Sequence, residues 1–171
     1  TLFSSGPLPN SNNERMWLKW GDNKLYFYAG GDGTNKNTYV AVTQDTGWHH
    51  LVVVRDGDDD VTLYVDGGTA AGGSQSAPAD FSAVSMPQST YADNVTIGAR
   101  NDGSFDWQGN IDEVAIWNSA LSAGTIADIY NSGVPASLST LSPVAWWRMG
   151  DSAGDDESGG GAVSDGGTVG T

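Results

Sequence analysis

Short runs of β-forming residues, separated by turns rich in Gly, Asn and Asp, are the feature that most limits the fold of this chain. In the run 61–66, three aliphatic residues alternate with Thr62, Tyr64 and Asp66. A period of two places one row of side chains toward a core and the other toward water. The pattern therefore predicts antiparallel sheets, each with one buried face and one wet face.

The same kind of run recurs along most of the chain, and one helix interrupts the series. The predicted helix covers 122–132, with Ser122 as its cap and Gly133 at its end. We expect Ile111 and Val114 to share an interior with Val65. Many short strands and one short helix predict an all-β, two-sheet antiparallel jelly-roll sandwich. The predicted strands cover 16–20, 24–29, 38–43, 48–55, 61–66, 94–100, 109–117 and 142–149, with a hairpin turn at 21–23 and a weak strand at 81–86 inside a long surface loop over 67–93.

The charge balance excludes several classes of function. The 171 residues carry 7 Lys plus Arg against 21 Asp plus Glu, which gives a net charge of −14. Nucleic acid and anionic membrane surfaces need clustered cations, so neither is expected as a partner. No apolar run reaches the length of a membrane span, so no membrane insertion is expected. The absence of cysteine excludes disulfides, thiolate metal sites and a cysteine nucleophile.

Two stretches resemble laminin-G-like domains. One is Gly-Trp-His-His-Leu-Val-Val-Val-Arg at 47–55 followed by Leu-Tyr-Val-Asp-Gly at 63–67. The other, at 97–122, combines a Gly-x-Ile-Asp-Glu-Val strand with a Trp-Asn-x-x-Leu-Ser helix entry. The resemblance covers about 14–133. It implies the concanavalin A-like jelly roll that laminin-G, pentraxin and legume-lectin domains share, whose members bind glycans or proteins, often through calcium.

The pentraxin-type resemblance implies positions for calcium ligands. Asn101 and Asp102 fall on one ligand cluster of that family, and Asn12 and Asn13 fall on a second pair. Arg100 stands where the family has Glu, so Asp102 is the single carboxylate among the four. Calcium prefers six to eight oxygen ligands. The alternative is that these residues form turns for backbone reasons.

The ends of the chain set the predicted domain organisation. Residues 1–133 are predicted to form the jelly-roll domain, with its opening strand missing or permuted, in a chain processed or cut from a longer protein. Residues 134–171 hold a linker, a Trp-Trp strand and an acidic Gly-rich tail. This segment closes the same sandwich, begins a second repeat, or fills the open sheet edge of a neighbouring copy. The linker is similar to segments of laminin-G-like structural proteins of marine phages.

Trp107 is the predicted centre of a ligand site. It lies in a loop with Ser104, Asp106 and Gln108. Sugars stack their CH groups on such a ring while polar neighbours bind the hydroxyls. The alternative is that Trp107 packs across the sandwich edge. Four other tryptophans are predicted to be mostly core residues or cross-strand partners, namely Trp17, Trp20, Trp48 and Trp117.

Catalytic arrangements are not expected. A retaining glucanase of this fold needs two carboxylates on one face, about 5–5.5 Å apart, whereas Asp112 and Glu113 are adjacent and face opposite sides of a strand. His49 and His50 are split in the same way, and no Gly-x-Ser-x-Gly elbow accompanies them. An EF-hand calcium loop that begins at Asp56 needs Gly at its sixth position and Glu at its twelfth, where this chain has Val61 and Gly67, so the acidic run 56–60 is predicted to be a hairpin turn.

These observations predict a non-enzymatic surface binding module. Its partner is a glycan or a host-surface receptor, bound for recognition or adhesion at loops 100–108 and 10–15. Its location is extracellular or on a virion surface. The alternative is a structural role as a decoration, fibre or filament subunit of a phage particle, without glycan binding.

Overall fold

The computed structural model describes residues 1–5, 15–31, 34–84, 95–100, 105–134, 136–149 and 157–158. Strands dominate these residues, with one α-helix and three short 3-10 turns. The strands are β1 Phe3–Ser5, β2 Arg15–Gly21, β3 Lys24–Gly31, β4 Thr34–Ala41, β5 Leu51–Arg55, β6 Asp60–Val65, β7 Ser74–Gln75, β8 Ala79–Asp80, β9 Val95–Ile97, β10 Val114–Ile116, β11 Ala145–Trp147 and β12 Glu157–Ser158. The helix α1 is Ala123–Tyr130, and the 3-10 turns are Thr69–Ala71, Asn131–Gly133 and Ser139–Leu141.

The described strands pair into three sheets. The front sheet has the order β4-β3-β2-β1-β9, and the back sheet has the order β5-β6-β7 with β8 also paired to β6. The small sheet has the order β10-β11-β12. Every pairing is antiparallel. The predicted antiparallel all-β class is confirmed.

The core lies between the front and back sheets. Leu25 and Phe27 point inward from β3, and Leu63 and Val65 point inward from β6. Phe81 joins them, with its ring centroid 5.8 Å from that of Phe27. Burying each such side chain contributes about 1.5–3 kcal/mol. The predicted packing of two layers around a shared interior is confirmed.

A tight hairpin turn joins β2 and β3 in the front sheet. Asp22 and Asn23 have φ values of 55° and 56°, the conformation that a two-residue type I′ turn requires at both central positions. The backbone N–H of Gln44 donates to the Asn23 side-chain oxygen at 2.9 Å, and Asn23 N–H donates to the Gln44 side-chain oxygen at 3.2 Å. The predicted hairpin is confirmed.

The outer face of β6 is not wet, contrary to the alternation of the sequence. Thr62 and Tyr64 are each 8% exposed. A Cβ atom at Gly68 would lie 2.7 Å from the Tyr64 ring, so the turn after β6 lies directly on that ring. Tyr130 of α1 stacks on His50 with a centroid separation of 6.0 Å. Turn and helix cover the back sheet, and neither contact is visible in local periodicity.

The long segment after β6 is more ordered than a surface loop. It contains β7 and β8, and it delivers Phe81 and Val84 to the core, each 1% exposed. The weak strand predicted at 81–86 is wrong for 81–84, because the Val84 N–H donates to the Phe81 carbonyl at 2.8 Å and closes a turn. Residues 85 and 86 lie outside the described part of the chain.

The front sheet has a strand from the N-terminal segment that the sequence analysis did not predict. Phe3–Ser5 pairs with β2 on one side and with β9 on the other. Residues 16–18 of β2 are therefore paired by a strand of this same chain. Three residues are too short for a period of two to be recognised, which is why the pattern does not predict β1.

The predicted strand at 109–117 is mostly irregular. Glu113 has a φ of 53°, outside the range of a strand, so the extended run begins at Val114. Ile111 and Val114 are half-buried and lie outside the main core cluster, unlike Val65. The expectation that these three residues share one interior is wrong.

The Trp-Trp strand pairs within this chain. In β11, Trp147 pairs with Val114 and Ala145 pairs with Ile116 of β10. On its other side, β11 pairs with β12. The predicted division of the chain at residue 133 stays a prediction.

The predicted helix is confirmed, with an earlier end. The Ser122 hydroxyl oxygen accepts the Thr125 N–H at 3.1 Å, as an N-cap does. The helix ends at Asn131, whose φ of 44° is left-handed, two residues before Gly133. Among the described residues, no helix is both long and apolar enough to cross a membrane.

Candidate functional site

The outward face of the front sheet carries a row of aromatic side chains. In β2, Trp17 alternates with inward residues, and it pairs with Tyr28 of β3. Tyr26 of β3 pairs with Tyr39 of β4. Since side chains two residues apart share a face, these four rings lie on the side of the sheet opposite the core. We call this surface the aromatic face.

The rings of the aromatic face are in contact across the strands. Trp17 and Tyr28 meet edge to face, with centroids 5.0 Å apart and planes at 60°. Tyr26 and Tyr39 are 5.7 Å apart with planes at 49°. Tyr39 is 50% exposed. Cross-strand contacts of this kind hold the rings in place before a ligand arrives.

An open depression of about 250 Å³ lies on the aromatic face. Its lining combines aromatic rings with an amide, a carboxylate and an ammonium group, a mixture that presents apolar surface together with groups able to bind hydroxyls. The lining residues are Trp17, Lys19, Asp22, Tyr26, Tyr28 and Asn37.

Two lysines lie over the tyrosine rings. The Lys24 Nζ atom is 4.4 Å from the Tyr39 centroid and 5.8 Å from the Tyr26 centroid. The Lys19 Nζ atom is 5.9 Å from the Tyr26 centroid. These distances are within the range of cation–π attraction. Within the described residues, neither ammonium group forms an ion pair with a carboxylate.

The loop after β9 extends the aromatic face at one border. The Arg100 guanidinium is 5.2 Å from the Trp17 centroid and 5.7 Å from the Phe105 centroid. Phe105 is 60% exposed. The Ser4 hydroxyl donates to the Ala99 carbonyl at 3.3 Å, which ties this loop to β1. A continuous apolar and cationic strip therefore runs from Tyr28 to Phe105.

Trp107, the centre of the site predicted from sequence, is half-buried in that loop. Its backbone N–H donates to the Gly98 carbonyl at 2.7 Å, and its indole N–H donates to the Asn110 carbonyl at 3.2 Å. Asp106 and Gln108 on either side are exposed. The structure thus keeps the predicted ring and its polar neighbours together. A ligand at Trp107 stays a prediction, and Ser104 lies outside the described residues.

The predicted calcium ligands Asn12, Asn13, Asn101 and Asp102 also lie outside the described residues, so the calcium site stays a prediction. Among the residues that the structure describes, no group of three or more His, Asp or Glu side chains could hold a metal ion. The acidic run 56–60 is the predicted hairpin turn, in which the Asp56 carboxylate accepts the N–H groups of Asp58 and Asp60, both at 3.0 Å.

Sequence reasoning missed the aromatic face, although its signal is present. In the run 16–20, Met16, Leu18 and Trp20 pack against the core, and this places Trp17 and Lys19 outward. Trp17 is a cross-strand partner as predicted. The core or cross-strand prediction is wrong for Trp48, which is 66% exposed. Reading the alternation of neighbouring strands together would have indicated the aromatic face.

His49 forms a second polar cluster. Its Nδ1 atom is 2.9 Å from an Asp66 carboxylate oxygen, and its Nε2 atom is 3.0 Å from an Asp45 oxygen. Its ring lies 5.0 Å from that of Trp20. Burial lowers the pKa of His49, but hydrogen bonds to Asp66 and Asp45 raise it more, so the pKa lies above its ordinary value. Both ring nitrogens face carboxylates, an arrangement that stabilises a protonated imidazole.

The adjacent carboxylates at 112 and 113 serve local structure. The Asp112 carboxylate accepts the Glu113 N–H at 2.9 Å. Glu113 accepts the indole N–H of Trp146 at 2.5 Å and lies 3.8 Å from the Arg148 side chain. The prediction that the two acids face opposite sides of a strand is wrong, because neither belongs to β10.

Comparison with known proteins gives one family and one solved structure. A laminin-G family model, described as the concanavalin A-like lectin/glucanases superfamily, matches residues 1–127. No curated protein matches the chain. The chain is similar to a crystal structure of an S-layer domain-containing protein (residues 221–444) from Clostridium thermocellum, with 25% identity and a TM-score of 0.41. The match covers 70% of this chain and 58% of that one, less than two thirds of its length.

Proposed function

We propose that this chain, which belongs to the concanavalin A-like lectin/glucanases superfamily, is a non-enzymatic glycan-binding module of an extracellular surface. The single observation that carries the proposal is the aromatic face of the front sheet. It combines the Trp17–Tyr28 cross-strand pair with the amide of Asn37 in one open depression, and Tyr39 contacts the lining residue Tyr26. The predicted glycan class of partner is kept, and its main contact moves from the Trp107 loop to the sheet.

Stacking of sugar rings on Tyr26, Tyr39 and Trp17 supplies the apolar part of the binding. The CH groups on one side of a pyranose fit the negative face of an aromatic ring. An open depression suits a polysaccharide chain that passes across the sheet, because such a ligand needs no enclosing cavity. Ordered rings lose little conformational entropy on binding, which supports affinity from a modest contact area.

The number and placement of carboxylates favour a binding role over hydrolysis. A glycosidase needs two carboxyl groups flanking the scissile bond, about 5–5.5 Å apart in retaining enzymes and about 6.5–9.5 Å apart in inverting ones. Among the described residues that line the depression, Asp22 is the one carboxylate. Glu113 is engaged with the small sheet.

The structural alternative stays a prediction. One argument for it was an open edge beside β2 that a neighbouring copy would fill, and β1 of the same chain pairs with residues 16–18 of that strand. The place on a virion depends on the resemblance of the linker alone and stays a prediction.

The test is a glycan array screened with the intact chain and three single variants. We expect a defined set of hits that Tyr39→Ala weakens by about tenfold or more, since loss of one stacking ring costs on the order of 1–2 kcal/mol. Trp48→Ala is the matched control, because Trp48 is more exposed than Tyr39 and lies outside the aromatic face. Trp107→Ala measures the contribution of the loop.

An array without hits would contradict the proposal. Hits that are lost in Trp107→Ala and unchanged in Tyr39→Ala would return the site to the loop. Equal losses in Tyr39→Ala and Trp48→Ala would also argue against the aromatic face, since a general effect of removing an exposed ring would then explain them.

A further inference from the structure

We infer that the aromatic face selects an anionic polysaccharide, one whose sugar units carry carboxylate or sulfate groups. The inference rests on the proposed function and adds the chemical class of the ligand. It is carried by the position of Lys19 and Lys24, whose Nζ atoms lie 5.9 and 5.8 Å from the Tyr26 centroid.

The cationic side chains of this acidic chain differ in whether they form ion pairs. The chain has 7 Lys plus Arg against 21 acidic residues. Lys36 pairs with Asp80, and Arg55 pairs with Asp59. Lys19 and Lys24 instead lie over aromatic rings, and no carboxylate within the described residues pairs with them.

The geometry matches an acidic sugar. The Lys19 and Lys24 Nζ atoms lie 5.9 and 5.8 Å from the Tyr26 centroid, so a sugar held in the depression beside Tyr26 can bring a charged substituent close to both. A carboxylate or sulfate at that position gains a charge-assisted hydrogen bond. Asp22 in the same depression disfavours an anion beside the hairpin turn, so the charged groups are expected toward the lysines.

The net charge of −14 distinguishes specific binding of a polyanion from nonspecific electrostatic attraction. Such a chain repels polyanions at long range. Binding of an anionic polysaccharide therefore requires a local cationic site. The proposed face combines that site with stacking surface, so neutral chains are expected to bind more weakly.

The experiment compares dextran with dextran sulfate, which share one backbone, and adds polygalacturonate as the carboxylate probe. Affinity is measured by isothermal titration calorimetry for the intact chain, for the Lys19→Gln/Lys24→Gln variant and for a Lys36→Gln/Arg55→Gln control. Both double variants change the net charge by the same amount. Tyr39→Ala is included to report on stacking.

We expect at least one charged probe to bind about tenfold or more tightly than dextran, and more weakly as salt rises and screening increases. The Lys19→Gln/Lys24→Gln variant loses that preference, whereas the Lys36→Gln/Arg55→Gln control keeps it. The preferred charged probe tells whether carboxylate or sulfate is the recognised group.

Three outcomes would overturn the inference. If binding requires Tyr39 but neutral glycans bind as tightly as charged ones, the inference is removed and the proposed function stands. Equal losses in the two double variants would show a general effect of charge. Failure of every charged probe, together with a glycan array without hits, would remove the inference and the proposed function alike.

Discussion

At the scale of single residues, the His49 cluster makes stability depend on pH. The Asp66 and Asp45 carboxylates hold the pKa of His49 above its ordinary value of 6.5. The folded protein therefore binds this proton more tightly than the unfolded chain does. The contribution to stability is complete below about pH 6.5 and is lost as the pH rises through the folded-state pKa. In the neighbouring His50 burial prevails over the attraction of Asp66, so the pKa of His50 lies below its ordinary value.

This difference predicts the behaviour of two variants between pH 5 and pH 8 (a range set by the histidine titration). We expect His49→Gln to lower the free energy of unfolding by on the order of 0.5–1 kcal/mol at pH 5, with the deficit shrinking toward pH 8. The measurement is chemical denaturation across the pH series. His50→Gln is the control, because its pH trend runs the other way. A His49→Gln deficit that stays constant with pH would contradict the assignment.

At the scale of elements, a part-buried hydrogen bond joins the small sheet to the residue that precedes β10. Trp146 is 5% exposed, and its indole N–H reaches Glu113 just before β10. The Arg148 guanidinium lies 5.2 Å from the Trp146 ring. Sequence reasoning identified the β11 region as a strand, but it extended β10 across 109–117. Glu113 has a left-handed φ of 53° and contacts Trp146, which is distant in sequence, and local alternation reports neither, so it could not predict where β10 begins.

The contact at Trp146 predicts an asymmetry between two adjacent tryptophans. Trp146→Phe keeps the ring and removes the indole N–H, so the Glu113 carboxylate loses a partner. We expect a loss of about 1–3 kcal/mol in the free energy of unfolding. Trp147→Phe is the matched control, because Trp147 lies on the other face of β11. Equal losses in denaturant titrations of the two variants would count against the role of Glu113.

At the scale of the whole molecule, the alternation of short strands was enough to predict the two-layer sandwich. In β3 and β6, Leu25, Phe27, Leu63 and Val65 face the shared interior that their period of two implies. The cover over Tyr64 and the strand at Phe3–Ser5 depend on contacts between distant segments, which a period of two does not encode. The aromatic face lay within reach of the sequence, because the inward rows of β2 and β3 determine their outward rows. The depression on this face could not be predicted from the sequence, because it depends on the register in which the strands pair.

Calcium is a prediction for the whole molecule, carried by the sequence resemblance at Asn12, Asn13, Asn101 and Asp102. If the ion binds the folded chain alone, millimolar calcium raises the melting temperature and a chelator reverses the rise. Magnesium at the same concentration is the control for ionic strength. Scanning calorimetry that finds equal melting temperatures with and without calcium would remove the ion.

The most direct test of the central claim is side-chain oxidation footprinting of the chain with and without its strongest array ligand. The account predicts that the ligand protects Tyr39 and Trp17 on the aromatic face, while Trp48 stays as reactive as before. Protection confined to Trp107 or Trp48, with Tyr39 unchanged, would contradict it.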